Sequence, residues 1–447
     1  MKRIRLIGLF IFATTLSTLQ CWGQGMTLQE CLRYARDHSL LNKQQEISYR
    51  SAKWNTTSAA ASFLPSVNAS LGGTLSSGRS IDPETNTYST NKYLSNSYSA
   101  SLSLPLFDGL VHVNNYRMMK VVESQEKEEK KIQENKVSIS VITAFYNSLY
   151  YMQLVEQMQQ QLKGDQENAH LARREEALGT KSGADIAQME ANVASDEYSL
   201  VQQQNLYYNA LVDLKNALSY PMDSSLTIDC DISEQVPLDE ELTNPQEMFS
   251  SAVGSLPEAL SAQYALKSST YGVRKANGNF FPSLSFSAGI SSSYYVNVDN
   301  KADYASVRDQ FKNNIGEYMS LNLFIPIFNQ LSNVINKKHA TLNYLRQQAV
   351  YDQAMNDLNK NITQAVLNVR GSIKEYHAAE KKLEAVTQAH QANERKFELG
   401  TLSALEYYTS LLQLAEAKAQ LLGKKVQYLI LKKQLGYFEG KPFINED

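Results

Sequence analysis

The apolar positions of this chain follow a period of two, then a longer helical period, and the whole sequence of patterns is written twice. In the first half, Val67, Ala69 and Leu71 alternate with polar residues, as do Tyr98, Ala100, Leu102 and Leu104. In the second half the alternating positions are Leu284, Phe286, Ala288 and Ile290, then Met319, Leu321, Leu323 and Ile325. Alternation over about nine residues is the reach of a tilted strand that crosses a membrane. Each strand pair encloses a polar loop, Ser76 to Asn96 and Asn297 to Gly316, rich in Ser, Asn, Asp and Tyr. Each is preceded by a helical stretch, Leu28 to Ser62 or Gln246 to Gly278.

Beyond each hairpin the spacing turns helical. Val137, Val141, Ala144, Ser148, Tyr151, Val155, Met158 and Leu162 recur by four and three. Leu405, Tyr408, Leu412, Ala415, Ala419, Leu422, Val426 and Leu429 do the same. Such spacing predicts coiled-coil seams, with small residues that let backbones approach. Ile142, Leu149 and Met152 lie off the first seam, which predicts neighbours on two sides.

The duplication keeps register. Phe63-Leu64-Pro65-Ser66 recurs 217 residues later as Phe280-Phe281-Pro282-Ser283. Leu104-Pro105-Leu106-Phe107 and Leu178-Gly179-Thr180 recur 221 residues later, as Ile325-Pro326-Ile327-Phe328 and Leu399-Gly400-Thr401. Repeats of this kind signal one structural unit used twice. Leu106 to Tyr220 and Ile327 to Lys441 contain no proline and are each 115 residues long. Pro105 and Pro326 suit strand-to-helix junctions, and Asp108 and Asn329 stand where an N-cap is wanted. The pairs Gly179-Thr180 and Gly400-Thr401 mark helical reversals. Continuous helices from the prolines to these turns would reach roughly 100 Å at 1.5 Å per residue.

Four strands cannot close a barrel, and lipid does not tolerate an open sheet edge. Membrane strands would therefore have to be completed by other copies: two chains give 8 strands with little lumen, three give 12 with an open bore.

Composition narrows the class. The 447 residues carry a formal net charge of −3 and 20% charged residues, so no nucleic-acid partner is indicated. The 26 Tyr against 2 Trp, many in Ser-rich stretches, fit the interfacial girdles of a membrane barrel. Lys2, Arg3 and Arg5 ahead of the apolar run Leu6 to Leu16 read as a secretory signal, residues 1–24. Gln20 before Cys21 is a poor lipobox match, so cleavage is expected over acylation. Beyond Gln24 no window of 18 apolar residues occurs. Cys31 and Cys230 are compatible with either a bridge or free thiols. The six His show no ligand spacing, and no phosphate cradle or nucleophile motif is present. No cofactor, metal or catalytic residue is expected. The run Glu123 to Lys131 reads as a solvated helix face with i,i+4 pairs.

The paired F-x-P-S, x-P-x-F and L-G-T landmarks resemble the TolC-type outer membrane efflux protein family over essentially the whole mature chain. The resemblance implies a mainly α fold with a β-barrel part: four long coiled-coil helices and four membrane strands per chain. Three chains would close a 12-strand barrel above a periplasmic helical tunnel. It implies a first repeat at 25–228 (hairpin 66–105, helical hairpin 106–220) and a second at 229–447 (hairpin 283–326, helical hairpin 327–436). It further implies a homotrimer in outer-membrane lipid, served by a periplasmic adaptor (membrane fusion) protein and an inner-membrane transporter, in multidrug efflux or type I secretion. Asp185 and Glu406, each six residues past its glycine, match acidic positions that narrow the channel entrance in the family. Thr409 stands where some members carry a further Asp. Leu402 and Phe397 replace an Arg and a Tyr of the closing contacts, so a shut state here would rest on packing. The rival reading is a periplasmic coiled-coil adaptor or scaffold whose hairpins stay in water.

Overall fold

The computed structural model describes residues 25–81, 86–179, 182–229, 235–237, 243–299, 301 and 304–444. The expected signal segment, Cys21, Thr180 and Cys230 lie outside them. Nine helices and four strands occur among the described residues: α1 Leu28–His38, α2 Leu40–Ala61, β1 Ser66–Ile81, β2 Tyr88–Phe107, α3 Val111–Ala177, α4 Gly183–Leu218, α5 Pro245–Ser255, α6 Pro257–Gly278, β3 Ser283–Asn297, α7 Val307–Asn313, β4 Gly316–Phe324, α8 Ser332–Glu398 and α9 Ala404–Phe438. The duplication is visible in the lengths: α3 and α8 both have 67 residues and start 221 positions apart.

The chain divides into two units. One gathers the chain up to Ile47, Glu128–Leu260 and Ala354 onward; the other holds Ser48–Lys127 and Ser261–Gln353.

In the second unit the strands form one antiparallel sheet in the order β1-β2-β3-β4. Its register places Val67 opposite Leu102, Leu102 opposite Ala288 and Ala288 opposite Met319, so all four lie on one face. Residues adjacent to these along the strands, Asn68, Ser101, Ser287 and Ser320, lie on the other face. Pro105 lies inside β2, two residues before its end, rather than closing the ladder as expected. There β2 has run past Ser66, the first residue of β1, so the missing N–H costs no bond on that side. A bulge between Pro105 and Phe107 then bends the strand against β3. Pro326 lies two residues after β4. The helices start later than the prolines suggested, at Val111 and Ser332. Asp108 accepts from the N–H of His112 at 2.7 Å, and Asn329 from that of Asn333 at 3.4 Å. Gly109 and Gly278 bring two backbones together so closely that a Cβ on either would strike the other's carbonyl oxygen.

The stretch 297–316, expected as a loop, contains α7. Ser306 caps it, its hydroxyl accepting from the N–H of Asp309. The helix covers the part of β3 that extends past β4. Gln310 exchanges bonds with the Tyr295 backbone at 2.9 and 3.0 Å, and the Asn314 amide donates to Ser293 O at 2.8 Å. Side chains here stand in for a missing strand.

The first unit is built on an apolar core from α1, α3, α4, α5, α8 and α9, including Leu32, Val141, Leu149, Leu214, Ile362 and Leu429. Each contributes about 1.5–3 kcal/mol by leaving water. Ile142 and Phe145 are buried beside Val141 and Ser148, so α3 has neighbours on two sides. On α9 the in-chain core takes the expected stripe at Val426 and Leu429, and a different one towards the turn. There Ala404, Ser410, Leu414 and Ala417 are buried, while Leu405 is 58% exposed and Leu412 is exposed too. The helix carries two apolar stripes, and the in-chain neighbours take the smaller one. Cys31 is buried and has no disulfide partner among the described residues; burial pushes its thiol up to about 12, which makes it unreactive.

The helical stretch 28–62 is two helices, broken at Ser39, and 246–278 is two, broken at Leu256. Leu256 precedes Pro257 and adopts extended backbone, the conformation that proline imposes on its predecessor.

Candidate functional site: the helical turns and the two-faced sheet

The two longest helices, α3 and α8, end by the same chemistry in the first unit. After α8, Gly400 has φ +70 and its N–H donates to Phe397 O at 2.9 Å. The Thr401 N–H donates to Lys396 O at 2.9 Å, which completes a Schellman motif. Gly179 after α3 has φ +75 and donates to Glu176 O at 2.8 Å. A Cβ would meet no atom within 4 Å at either glycine, so the left-handed backbone, not space, requires glycine there.

The next helices begin on serine caps. Ser182 Oγ accepts from the Asp185 N–H at 3.2 Å and donates to Asp185 Oδ2 at 2.8 Å. Ser403 and Glu406 form a full capping box, with the Ser403 N–H donating to Glu406 Oε2 at 3.1 Å. Asp185 and Glu406 thus both occupy the third helical position; Glu406 satisfies the Ser403 N–H, whereas Asp185 accepts from the Ser182 hydroxyl. Hydrogen bonds from the Ser403 hydroxyl and N–H hold the Glu406 carboxyl below its ordinary value. That bond therefore contributes above the usual glutamate range and fades as pH falls through it. The repeated Ser-x-x-acid spacing carried this signal in the sequence. Ser403→Ala is expected to lower stability by about 1 kcal/mol, read from the shift in denaturant midpoint.

The structure separates the two acids in one respect. Asp185 lines a cavity of about 830 Å³ together with Glu175, Glu394, Glu398, Gly400 and Thr401, whereas Glu406 does not line it. Among the described residues no Lys or Arg lines it, while four carboxylates do. Phe397 stacks on Tyr407 with ring centres 4.6 Å apart, and Ile186, Met189 and Ala404 pack beside it. Contact between the hairpin ends is thus made by apolar and aromatic groups. Thr409 donates back to Leu405 O at 2.8 Å.

Further along the same helices lies a group that the sequence did not announce. Asp165 on α3 and Asp196 on α4 are buried, and Gln161 and the Tyr408 hydroxyl both donate to Asp196 Oδ1 at 3.1 Å. The positions 221 residues on are Val386 and Ala417, so this polar pair belongs to one half only.

In the sheet unit the two faces differ in kind. Val67, Leu71, Leu75, Met319, Leu321 and Leu323 are all exposed, Leu71 at 80% and Met319 at 82%. The opposite face is serine-rich, with Ser70 and Ser99 hydroxyls 2.7 Å apart. A soluble sheet buries its apolar face; here that face is the one left open, which suits lipid outside and water inside. Tyr93 and Tyr295 stack towards the loop end, ring centres 4.9 Å apart. Among the described residues no helix is long and apolar enough to cross a membrane.

Comparison with known proteins agrees with these features. The family model described as outer membrane efflux protein matches residues 33–219 and 249–436, one match in each half. Among curated proteins, the probable efflux pump outer membrane protein TtgC of Pseudomonas putida KT2440 is 23% identical over 381 residues. That alignment covers 83% of this chain and 73% of TtgC. The antibiotic efflux pump outer membrane protein ArpC of Pseudomonas putida matches to the same extent. Among solved structures, CusC superposes with TM-score 0.78 at 16% identity, covering 93% of this chain and 92% of its own. The outer membrane protein VceC of Vibrio cholerae gives 0.74 at 15% identity, covering 93% and 96%. The fold of those structures is that of channel proteins, and the coiled-coil adaptor reading is not favoured. The chain belongs to the outer membrane efflux protein family and is an outer-membrane exit duct with a helical tunnel in the periplasm.

Proposed function

We propose that three copies of this chain close one 12-stranded barrel in outer-membrane lipid and line a passive conduit through the periplasm. A periplasmic adaptor and an inner-membrane transporter would deliver cargo to it and supply the energy, and no step is enzymatic. The two repeats, 25–228 and 229–447, would each contribute one hairpin and one helical pair to the wall. The supporting observation is that β1 and β4 pair on one side only, on a sheet whose apolar face is exposed. Unpaired N–H and C=O groups in lipid cost several kcal/mol each, which favours closure by sister strands. The exposed Leu405 and Leu412 on α9 supply an apolar stripe for the same sister chains.

In this reading Asp185 and Glu406 ring the channel entrance near the Gly179-Thr180 and Gly400-Thr401 turns, and the tunnel opens by loosening of its inner coiled coils. Rings of carboxylate on a three-fold axis favour cations. Asp185→Asn and Glu406→Gln keep side chains that can cap a helix while removing the charge. Planar-bilayer recording is expected to show reduced cation selectivity in both variants. Selectivity equal to wild type in both would place neither residue at a constriction.

A further inference from the structure

Asp165 and Asp196 are 8% and 3% exposed, and one oxygen of each, Oδ2 in both cases, is buried without a hydrogen-bond partner. Buried carboxyl oxygens without donors are costly, and two such orphan atoms on facing helices need one explanation. Asp196 Oδ1 is already occupied by Gln161 and Tyr408. Asp165 lines a cavity of about 20 Å³ with Asn168, Asn192 and Tyr408, enough for about one water molecule. No third acid joins them: among the described residues no group of three or more His, Cys, Asp or Glu could hold a metal.

We propose that Asp165 and Asp196 share a single proton, and that this proton is a pH-sensitive latch clamping α3 to α4 near the hairpin turns. One proton supplies the donor that both orphan oxygens lack, and it reduces two buried negative charges to one. Two carboxyls held close cannot both ionise cheaply.

The titratable groups around the pair come from two further helices, α9 and α8. Asp196 lies across from Asp165 on α4, and Tyr407 and Tyr408 approach from α9. On α8, Glu394 and Glu398 act on Tyr407, and His390 bonds Ser410 at 2.9 Å with its ring 5.7 Å from that of Tyr407. Among the described residues, neither Lys nor Arg acts on Asp165, Tyr407 or Tyr408. Burial, then the hydrogen bond to Asp196 and its charge, push Asp165 up to about 8, with Asn168 pulling the other way. Burial and Asp196 push the Tyr408 phenol up to about 12, so it remains a donor throughout.

The sign follows from linkage. With the helices closed, the pair keeps its proton up to about pH 8; with them parted, Asp165 loses it near its ordinary value of 3.8. Raising the pH between those limits therefore favours parting, about 10-fold per pH unit, with no further gain above pH 8. The consequence for channel opening rests on the proposed constriction; the proton pair itself does not.

Two measurements on the detergent-purified full chain, made without recording current, test the latch whether or not the chain conducts. Infrared difference spectra should show a protonated-carboxyl C=O band at pH 6 that disappears with a midpoint near pH 8. Asp165→Asn and Asp196→Asn should each remove it. Hydrogen exchange of α4 amides, as the ratio of wild type to Asp165→Asn at each pH, should rise about 10-fold per unit from pH 6 to 8 and then level off. A wild-type spectrum without the band at pH 6 would overturn the shared proton, and that reading needs no variant. A band that survives both substitutions would assign the proton elsewhere and equally overturn it. A flat exchange ratio would overturn the latch.

Discussion

Leu71→Arg is expected to keep the protein out of the outer membrane, while Ser70→Arg, one residue away, leaves insertion intact. Leu71 stands 80% exposed on the apolar face of β1, opposite Tyr98. Ser70 stands on the other face, its hydroxyl 2.7 Å from that of Ser99. An arginine on the lipid face near the bilayer midplane costs about 2–4 kcal/mol, and a trimer carries that cost three times. On the lumen side the same charge meets water and alters selectivity instead. Outer-membrane fractionation with heat-modifiable gel mobility reads the difference. Equal loss in both variants would mean that the faces are not distinct environments, and the lipid-facing assignment would fail.

The second large effect lies in the helical unit. Leu149 on α3 is fully buried in a core shared with α1, α4, α5, α8 and α9. Leu149→Ala is expected to cost about 2–5 kcal/mol, the lost transfer energy plus the cavity left behind. The urea midpoint of the detergent-solubilised protein measures it. Leu405→Ala on the exposed stripe of α9 should leave a dissociated chain's stability nearly unchanged, because no in-chain packing is lost there. A fall as large as that of Leu149→Ala would show that in-chain neighbours cover Leu405 after all.

Much of the architecture was legible because duplication amplifies weak signals. The 221-residue spacing that links Leu178-Gly179 to Leu399-Gly400 also separates the starts of α3 and α8. The alternation of Val67, Ala69 and Leu71 located β1, but its far part escaped. Gly72 to Ser80 is Gly- and Ser-rich, so little in that stretch distinguishes strand from loop, and only pairing with β2 settles it. α7 was missed for a related reason. Seven residues are too few to show a period, and the Ser306-x-x-Asp309 cap was the readable sign. The Leu256-Pro257 break was readable too, since proline restricts the residue before it. On α9 the spacing located a stripe but not its partner: Leu405 and Leu412 stay exposed towards the turn, because spacing alone cannot say which of two apolar faces an in-chain neighbour takes.

The site divides in the same way. Glycine at Gly179 and Gly400 was legible from the end of the helical period. The capping role of Asp185 and Glu406 was not anticipated, although Ser182 and Ser403, three residues earlier, are its sign in the sequence. The Asp165–Asp196 pair was not legible. Thirty residues separate the two acids across a helical reversal, and nothing in their local context distinguishes them from solvated helix acids.

The sharpest test of the whole account is the native mass of the protein extracted from outer membranes in mild detergent. Three subunits per particle are the expected result, since sister strands would satisfy the edges of β1 and β4 and three copies, unlike two, would leave an open bore. A monodisperse single chain, released from membranes by carbonate without detergent, would contradict it.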